Sequence, residues 1–432
     1  MNKVLLLSAL LWPSSLFPIF PINWFQAWDF NLHRPFREQH GHIDIDFFNE
    51  SSIKVEGKCS EERPCGPNEK GPETNVLQIW QPDQNALTML EGFNPQCPIG
   101  ALAQQINIDM PTSAILPSCS CPPAQGRGRI DFCGDLDIKA HSVIGTRWYM
   151  PKGFSLGVYL PISVISLNNR HIDKTQSITA DDLLTKQLVT NNLAANVFNL
   201  GCLNINCWQE TGVGDLALLA EWNLFFRQNK PLLKGVQTSV RFGMNIPTAR
   251  DTVVNDIFAL PFGNEAFGFI AGAGLGLHLT RYFRVGADFE FLYLLSRVLD
   301  MRIKTNTSQT ELLLLAANPV LKEFGFTHRF NVFLELALKG LSFNFTYQFW
   351  RHEDDRIALV NNCYSSTIAN TAKSLEEWTY HNFIYRIGFD SSRWEGAKYF
   401  GSPYLAFFYK QPINGKNAVL AQTLGAIVNF TF

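Results

Sequence analysis

Nine positions carry whatever chemistry this chain performs: Asp215, Glu221, Arg241, His278, Asp288, Glu290, Arg329, Glu335 and Arg386. Each lies in a stretch where apolar and polar residues alternate, and each falls on the polar parity. A period of two puts such side chains together on one face of a β-strand. If the other face meets lipid, this one must line an interior, because a charge turned to lipid costs about 2–4 kcal/mol near the bilayer midplane. The chemistry open to such a wall is selection. Carboxylates raise the local concentration of cations, and guanidiniums that of anions. Pairing across the turns sets Glu221 beside Arg241 and Asp288 near Glu335 with Gly276 opposite, so that Asp288, Glu290 and Glu335 form an acidic patch. A network of charges that merely fills a narrow lumen has the same pattern, and parity leaves the two readings open.

Bond-making chemistry has less support. His328 and His381 have the outward parity near one rim, but neither is followed two residues on by serine and their strands are not adjacent, so no nucleophile, base and orienting group assemble. The chain reads as a non-enzyme. Gly272–Gly276 (GAGLG) lies within a strand and opens no helix, so it is no dinucleotide fingerprint, and no cofactor is expected. Of the nine cysteines, Cys59, Cys65, Cys97, Cys119, Cys121 and Cys133 share one long segment, Cys202 and Cys207 the next, and Cys363 stands alone. Even numbers in an exported chain read as disulfide staples, with Cys202 and Cys207 the pair that proximity suggests. The absence of a CxxC pair or adjacent histidine argues against zinc. A net charge of −2 gives no reason to expect nucleic acid.

The elements that must position these residues are strands. In NAVLAQTLGAIVNFTF, Leu424, Ala426, Val428, Phe430 and Phe432 share one face, with Thr423, Gly425, Asn429 and Thr431 on the other. This resembles the C-terminal assembly signal of bacterial outer-membrane barrels. In LSFNFTYQFW, Leu341, Phe343, Phe345, Tyr347 and Phe349 face lipid, and Ser342, Asn344, Thr346 and Gln348 the lumen. Further strands fall at about 402–411, 377–391, 326–340, 283–296, 266–281, 235–249, 212–226, 153–167 and 136–149. GHIDIDFF, residues 41–48, makes twelve, the even number that single-chain bacterial barrels require.

Lys3 and the apolar run after it read as a signal peptide over 1–27, too short to span a bilayer, with the barrel over 28–432. Nowhere beyond it is there an apolar run of the roughly 20 residues a membrane helix needs, so a closed barrel is the remaining way to cross. Connections at Pro151, Pro231, Tyr282, Gly340 and Trp394 are short or modest and periplasmic, whereas those at 168–211, 250–265, 297–325 and 353–376 are long and external. The largest external loop covers about 49–135. Trp148, Tyr149, Tyr282, Trp394, Tyr399 and Phe432 fit a periplasmic aromatic girdle, and Trp208, Trp350 and Trp378 an external one. A short amphipathic helix starts at Thr179 with Leu184 and Leu188 one turn apart, and ELLLLAANPVL at 311–321 is too apolar to lie bare, so either can narrow the passage. The fold class expected is all-β: a transmembrane, antiparallel, up-and-down barrel of about twelve strands with large disulfide-stapled external loops.

Over roughly residues 212–281, GVGDLALLAEWNLFF, VQTSVRFGMNIPTA and GFIAGAGLGLHL resemble three strand patterns of the outer-membrane transporters of phenol-degradation (MetA) pathways. These are similar in turn to the wider group of hydrophobic-compound channels. The resemblance implies an outer-membrane passage protein. The cysteine-bearing loop departs from the family pattern, so no particular substrate is carried over. The expected function is a channel or transporter for small solutes, hydrophobic ones among them, in the bacterial outer membrane. Its expected partners are outer-membrane lipid, the barrel-assembly machinery and the solute. The rival is a non-transporting surface protein, an adhesin or structural barrel, that acts through its external loops.

Overall fold

The computed structural model describes residues 41–58, 73–79, 83–108, 128–173, 187, 191–251, 253–361, 363–391 and 403–432. The signal peptide at 1–27 lies outside these residues, as do Thr179, Leu184, Leu188, Trp394 and Tyr399. Twelve antiparallel strands form the wall: β1 (Ile43–Lys58), β2 (Arg129–Tyr149), β3 (Phe154–Asp173), β4 (Leu216–Lys230), β5 (Leu233–Ile246), β6 (Gly268–His278), β7 (Phe283–Leu294), β8 (Thr327–Leu338), β9 (Leu341–His352), β10 (Trp378–Asp390), β11 (Pro403–Lys416) and β12 (Ala418–Thr431). Each pairs with its neighbours in sequence, and β1 pairs with both β2 and β12, so the sheet closes on itself. Closure satisfies the edge hydrogen bonds that lipid could not. A short strand, Trp208–Val213, leads into β4 and pairs with the outer half of β3.

Parity sorts the two faces as expected. On β9 Leu341 and Phe343 are exposed, while Asn344, Thr346 and Gln348 are buried inside. On β12 Leu424, Phe430 and Phe432 face outward, and Thr423, Asn429 and Thr431 inward. The exterior is therefore an apolar belt that suits a bilayer. Trp148, Tyr282 and Phe432 stand exposed near the rim that holds the short turns. Trp208 and Trp350 depart from the expected outer girdle, because both are buried. Trp350 shares the parity of Asn344 and Gln348, and that parity overrides its place at a strand end.

The tight turns follow from backbone chemistry. Between β8 and β9, Lys339 and Gly340 have φ of 45° and 93°, the paired positive values of a two-residue hairpin turn. Between β2 and β3, Gly153 has φ 81° and so little space that a Cβ would lie 2.0 Å from the carbonyl oxygen of Asn223. The opposite rim carries the long connections. β1 and β2 run further than expected, so the loop placed at 49–135 begins after Lys58 and ends before Arg129.

On that outer rim the short strands Arg297–Arg302, Ala317–Glu323 and Arg356–Leu359 form a separate sheet, over a small core of Leu299, Met301, Val320, Ile357 and Leu375. The described helix in the 174–207 connection is Leu193–Gly201, capped by the Asn192 side chain. Its C-terminal cap is Cys202, at φ 52°. The expected staple between Cys202 and Cys207 is not formed. Both thiols are free, and the Cys207 Sγ lies 3.1 Å from Asn169 Oδ1. Cys97 and Cys363 are free as well, Cys97 accepting from the Gly100 amide at the start of helix Pro98–Ile108. Cys133 accepts from Gln78 Nε2. Cys59, Cys65, Cys119 and Cys121 lie outside the described residues. Among the described residues these loops are held by packing and hydrogen bonds, and no disulfide forms there.

Candidate functional site: the charged lumen and its apolar plug

Neighbouring strands in fixed register bring their inward residues to common levels. One level carries an alternating series of charges. The Arg147 guanidinium donates to the Tyr159 hydroxyl at 2.9 Å and lies 3.7 Å from Glu221 Oε2. Glu221 also accepts from Ser239 at 2.7 Å and from Arg241 Nη2 at 2.9 Å. Arg241 Nη1 then reaches Glu290 at 2.9 Å, and Arg329 Nη2 approaches the other oxygen of Glu290 at 2.9 Å. The Arg329 guanidinium stands 5.4 Å over the Trp350 ring, a cation–π contact. Every strand from β2 to β9 contributes to this band.

β6 contributes by having no side chain there. Gly272 pairs with Arg241 on one side and Glu290 on the other, and the bare backbone lets the ion pair close across an intervening strand. The glycines of GAGLG are thus a floor for the charge band. All five charged members are almost fully buried, and removing one partner from such a pair leaves the other charge unpaired, at a cost of about 3–5 kcal/mol.

The expected acidic patch is not present as such. Glu290 is flanked by Arg241 and Arg329, Glu335 pairs with Arg284 at 2.6 Å, and Asp288 accepts from Asn331 at 2.8 Å. In register Asp288 lies opposite Asn331 and Gly274, while Glu335 lies opposite Arg284. β7 and β8 are joined by a long connection that imposes no register, which misplaced Asp288 against Glu335, and across the short β6–β7 turn the register is two residues off the expected Asp288–Gly276. His278 contacts Gln237 and packs edge-on against Phe225. Arg386 is opposite Asn344 and Phe408 in register, away from the band.

Sequence reasoning passed over several inward groups. Arg147 has inward parity on β2 but sits beside the conspicuous Trp148. On the other wall Glu50 accepts from Lys410 at 2.7 Å and Thr423 at 2.9 Å, with His141 opposite it in register and 2.7 Å from Ser163 Oγ. These lie in stretches where the expected strands stopped short or where parity was not followed. His328 and His381 do face outward: His328 stacks near Phe289 and contacts Glu353, and His381 bonds the Tyr347 hydroxyl. Among the described residues no cluster of three or more His, Cys, Asp or Glu is arranged to hold a metal.

Outward of the charge band the interior turns apolar. Phe132 and Leu136 of β2 and Ile165 and Leu167 of β3 meet Leu312, Leu313 and Leu315 from one connection and Ile257, Phe258, Leu260 and Phe262 from another. Leu312, Leu313 and Leu315 of the segment at 311–321 are therefore part of a plug, while its end from Ala317 onward belongs to the rim sheet. Three connections meet at Arg302, whose guanidinium donates to the carbonyls of Val254, Gly201 and Leu315 and to Asn255 Oδ1. Burial without a carboxylate partner pushes this arginine down to about 10. At the rim sheet Asp355 takes Lys322 at 2.7 Å, His352 at 3.0 Å and the Gly325 amide at 2.8 Å. Burial works against that carboxylate, but Lys322 and His352 hold it well below its ordinary value of 3.8.

Asp215, the acid of GVGD, is not in the charge band. It sits where the 247–267 connection leaves and rejoins the wall, accepting from Asn245 Nδ2 at 2.8 Å, the Asn264 amide at 2.6 Å and the Ala249 amide at 3.3 Å.

No family model matches the sequence, and no curated protein matches it. Solved structures do. The COG4313 outer membrane channel from Pseudomonas putida F1 is 11% identical with a TM-score of 0.49, over 92% of this chain and 97% of that one. The CymD monoaromatic hydrocarbon channel is 10% identical with a TM-score of 0.30, over 91% and 88%. The Pseudomonas putida toluene transporter TodX is 8% identical with a TM-score of 0.29, over 97% and 95%. Identity and superposition this weak leave the functional reading to the chain's own geometry.

Proposed function

We propose that this chain is an outer-membrane channel or transporter that passes small solutes, hydrophobic ones among them, through its barrel. One observation carries the reading: the closed wall holds a band of paired charges, and outward of it an apolar plug of opposite character is built on the outer parts of β2 and β3, beyond their pairing with β1 and β4, together with the long connections. An apolar solute gains by entering the plug, at about 25 cal/mol per Å² of surface removed from water. The charge band below then acts as the selective constriction. The connections in the plug pack against the wall without being strands of it, so they can part from it while the barrel stays closed. The partners are outer-membrane lipid, the assembly machinery and the solute. Staples among Cys59, Cys65, Cys119 and Cys121 remain part of this reading, to be tested by mass mapping of natively exported protein.

Purified barrels in planar bilayers and in liposomes supply the test. We expect discrete conductance, and faster entry of aromatic solutes into barrel-containing vesicles than into empty ones. Neutralising Asp288, Glu290 and Glu335 together should lower cation preference, since Arg329 and Arg284 would lose carboxylates that pair with them and Arg241 would keep Glu221 alone of its two. Well-assembled barrels that neither conduct nor speed uptake would instead assign the function to the ordered outer loops.

A further inference from the structure

The buried carboxylate of Asp215 has no part in the charge band, and burying a charge is expensive unless it is paired or hydrogen-bonded. The groups it accepts from are all neutral, and two of them, the Ala249 and Asn264 amides, belong to the outgoing and returning stems of the 247–267 connection. Gly263 lies so close that a Cβ there would come within 2.3 Å of Asp215 Oδ1. Thr248 adds a second tie, donating to the Gly214 carbonyl at 2.9 Å and accepting the Leu216 amide at 3.0 Å. Pro247 lies just past the end of β5 and has no N–H with which to extend the ladder, so the outgoing stem is held by side chains, and further along the Asn204 backbone donates to the Asn255 carbonyl and accepts from the Ile257 amide.

A second clip holds the flank. The Arg297 guanidinium grips Asp251 with two bonds of 3.1 Å and also donates to the Glu265 carbonyl. Glu265, at φ 60°, occupies a backbone conformation that non-glycine residues rarely adopt. Between the clips the connection presents Ile257, Phe258, Leu260 and Phe262 to the plug, and the Phe262 ring lies tilted against Trp208. It thus has a hinge at the wall, polar latches at Asp215, Arg297 and Arg302, and an apolar tip in the mouth.

We infer that the 247–267 connection is the lid of the passage, and that Asp215 is the positioning residue that keeps it shut by tying its two stems together. This rests on the transport reading above. Releasing the latch should raise how often the passage opens without changing the passage itself.

The test uses full-length protein in planar bilayers with three separate variants: Asp215→Asn, Gly263→Ala, which crowds the carboxylate off its stems, and Arg297→Gln. A heat-modifiable band on gels reports barrel assembly. For Asp215→Asn and Gly263→Ala we expect open probability to rise about tenfold, the effect of losing one charge-assisted hydrogen bond. A smaller rise is expected for Arg297→Gln, and unit conductance should stay at the wild-type value in all three. Assembled variants that open as rarely as wild type overturn the lid, while wild-type conductance leaves transport standing. If Asp215→Asn does not assemble, Gly263→Ala and Arg297→Gln decide on the same criterion. Silence in wild type and every variant, with no aromatic uptake, overturns both readings together.

Discussion

Arg241 and Arg302 are both buried guanidiniums, and they are satisfied in opposite ways. Arg241 sits between two carboxylates, Glu221 and Glu290, each at 2.9 Å. Arg302 donates to backbone carbonyls and one side-chain amide, and burial alone dominates its shift. In the barrel every backbone group is taken up by the ladder, so an inward cation needs an inward anion, and strand register can supply one at a fixed level. In the plug the irregular connections leave carbonyls without ladder partners, and those must find donors. One arginine therefore balances charge across strands, and the other holds backbone together.

The largest effect should come from breaking the barrel's balance. Glu290→Ala takes a carboxylate from both Arg329 and Arg241, leaving Arg241 its bond to Glu221, and we expect barrel stability to fall by about 3–5 kcal/mol, read as a lower denaturant midpoint of the folded gel band. A drop under about 1 kcal/mol would show that water reaches the band and solvates the arginines. Arg302→Gln should cost about 2–3 kcal/mol, confined to the plug. Hydrogen exchange should then speed up in 193–207, 253–260 and 311–316 while the strands stay protected, and equal loosening of the wall would erase the contrast.

Acid should act on the rim sheet more gently. The carboxylate of Asp355 is depressed, so the stability it lends is fully present above the ordinary value of 3.8 and is lost as pH falls below it. Exchange across 354–377 should be flat from neutral pH down to that point and rise beyond it, and Asp355→Asn should remove the dependence. Smallest of all, Arg250→Ala breaks an exposed pair with Glu210 and should shift stability by about 0–1 kcal/mol, the baseline against which the buried arginines are measured.

The wall was the most legible part of the sequence, because lipid outside and polar groups inside force strict alternation. LSFNFTYQFW marks β9 nearly to the residue, and Glu221 beside Arg241 follows from a short turn that pins register. Where strands are joined by long connections, as between β7 and β8, register is set by the assembled sheet, and the pairing of Glu335 with Arg284 could not be read off. Trp350 was placed by its position at a strand end, when its parity already put it inside. The plug was not legible in its geometry. Leu312 to Leu315 announce burial, but their partners come from connections far apart in the chain and follow no period. The outer part of β1 was missed because NESSIKVEGK, polar on both faces, does not alternate.

The seam between β1 and β12 has a consequence in time. There Ile43 and Phe432 exchange backbone hydrogen bonds, and Thr431 bonds Asp44 across 387 residues of chain. Every other wall pairing joins strands that follow one another, so eleven of the twelve can form as the chain arrives, whereas this one waits for nearly all of it. Until then β1 and β11 are bare edges, ready templates for a wrong partner. Contacts of such long sequence separation form slowly. Survival of the protein between export and insertion thus depends on whatever shields those two edges, and a chain halted before β12 is delivered to proteolysis or aggregation however sound its other eleven strands are.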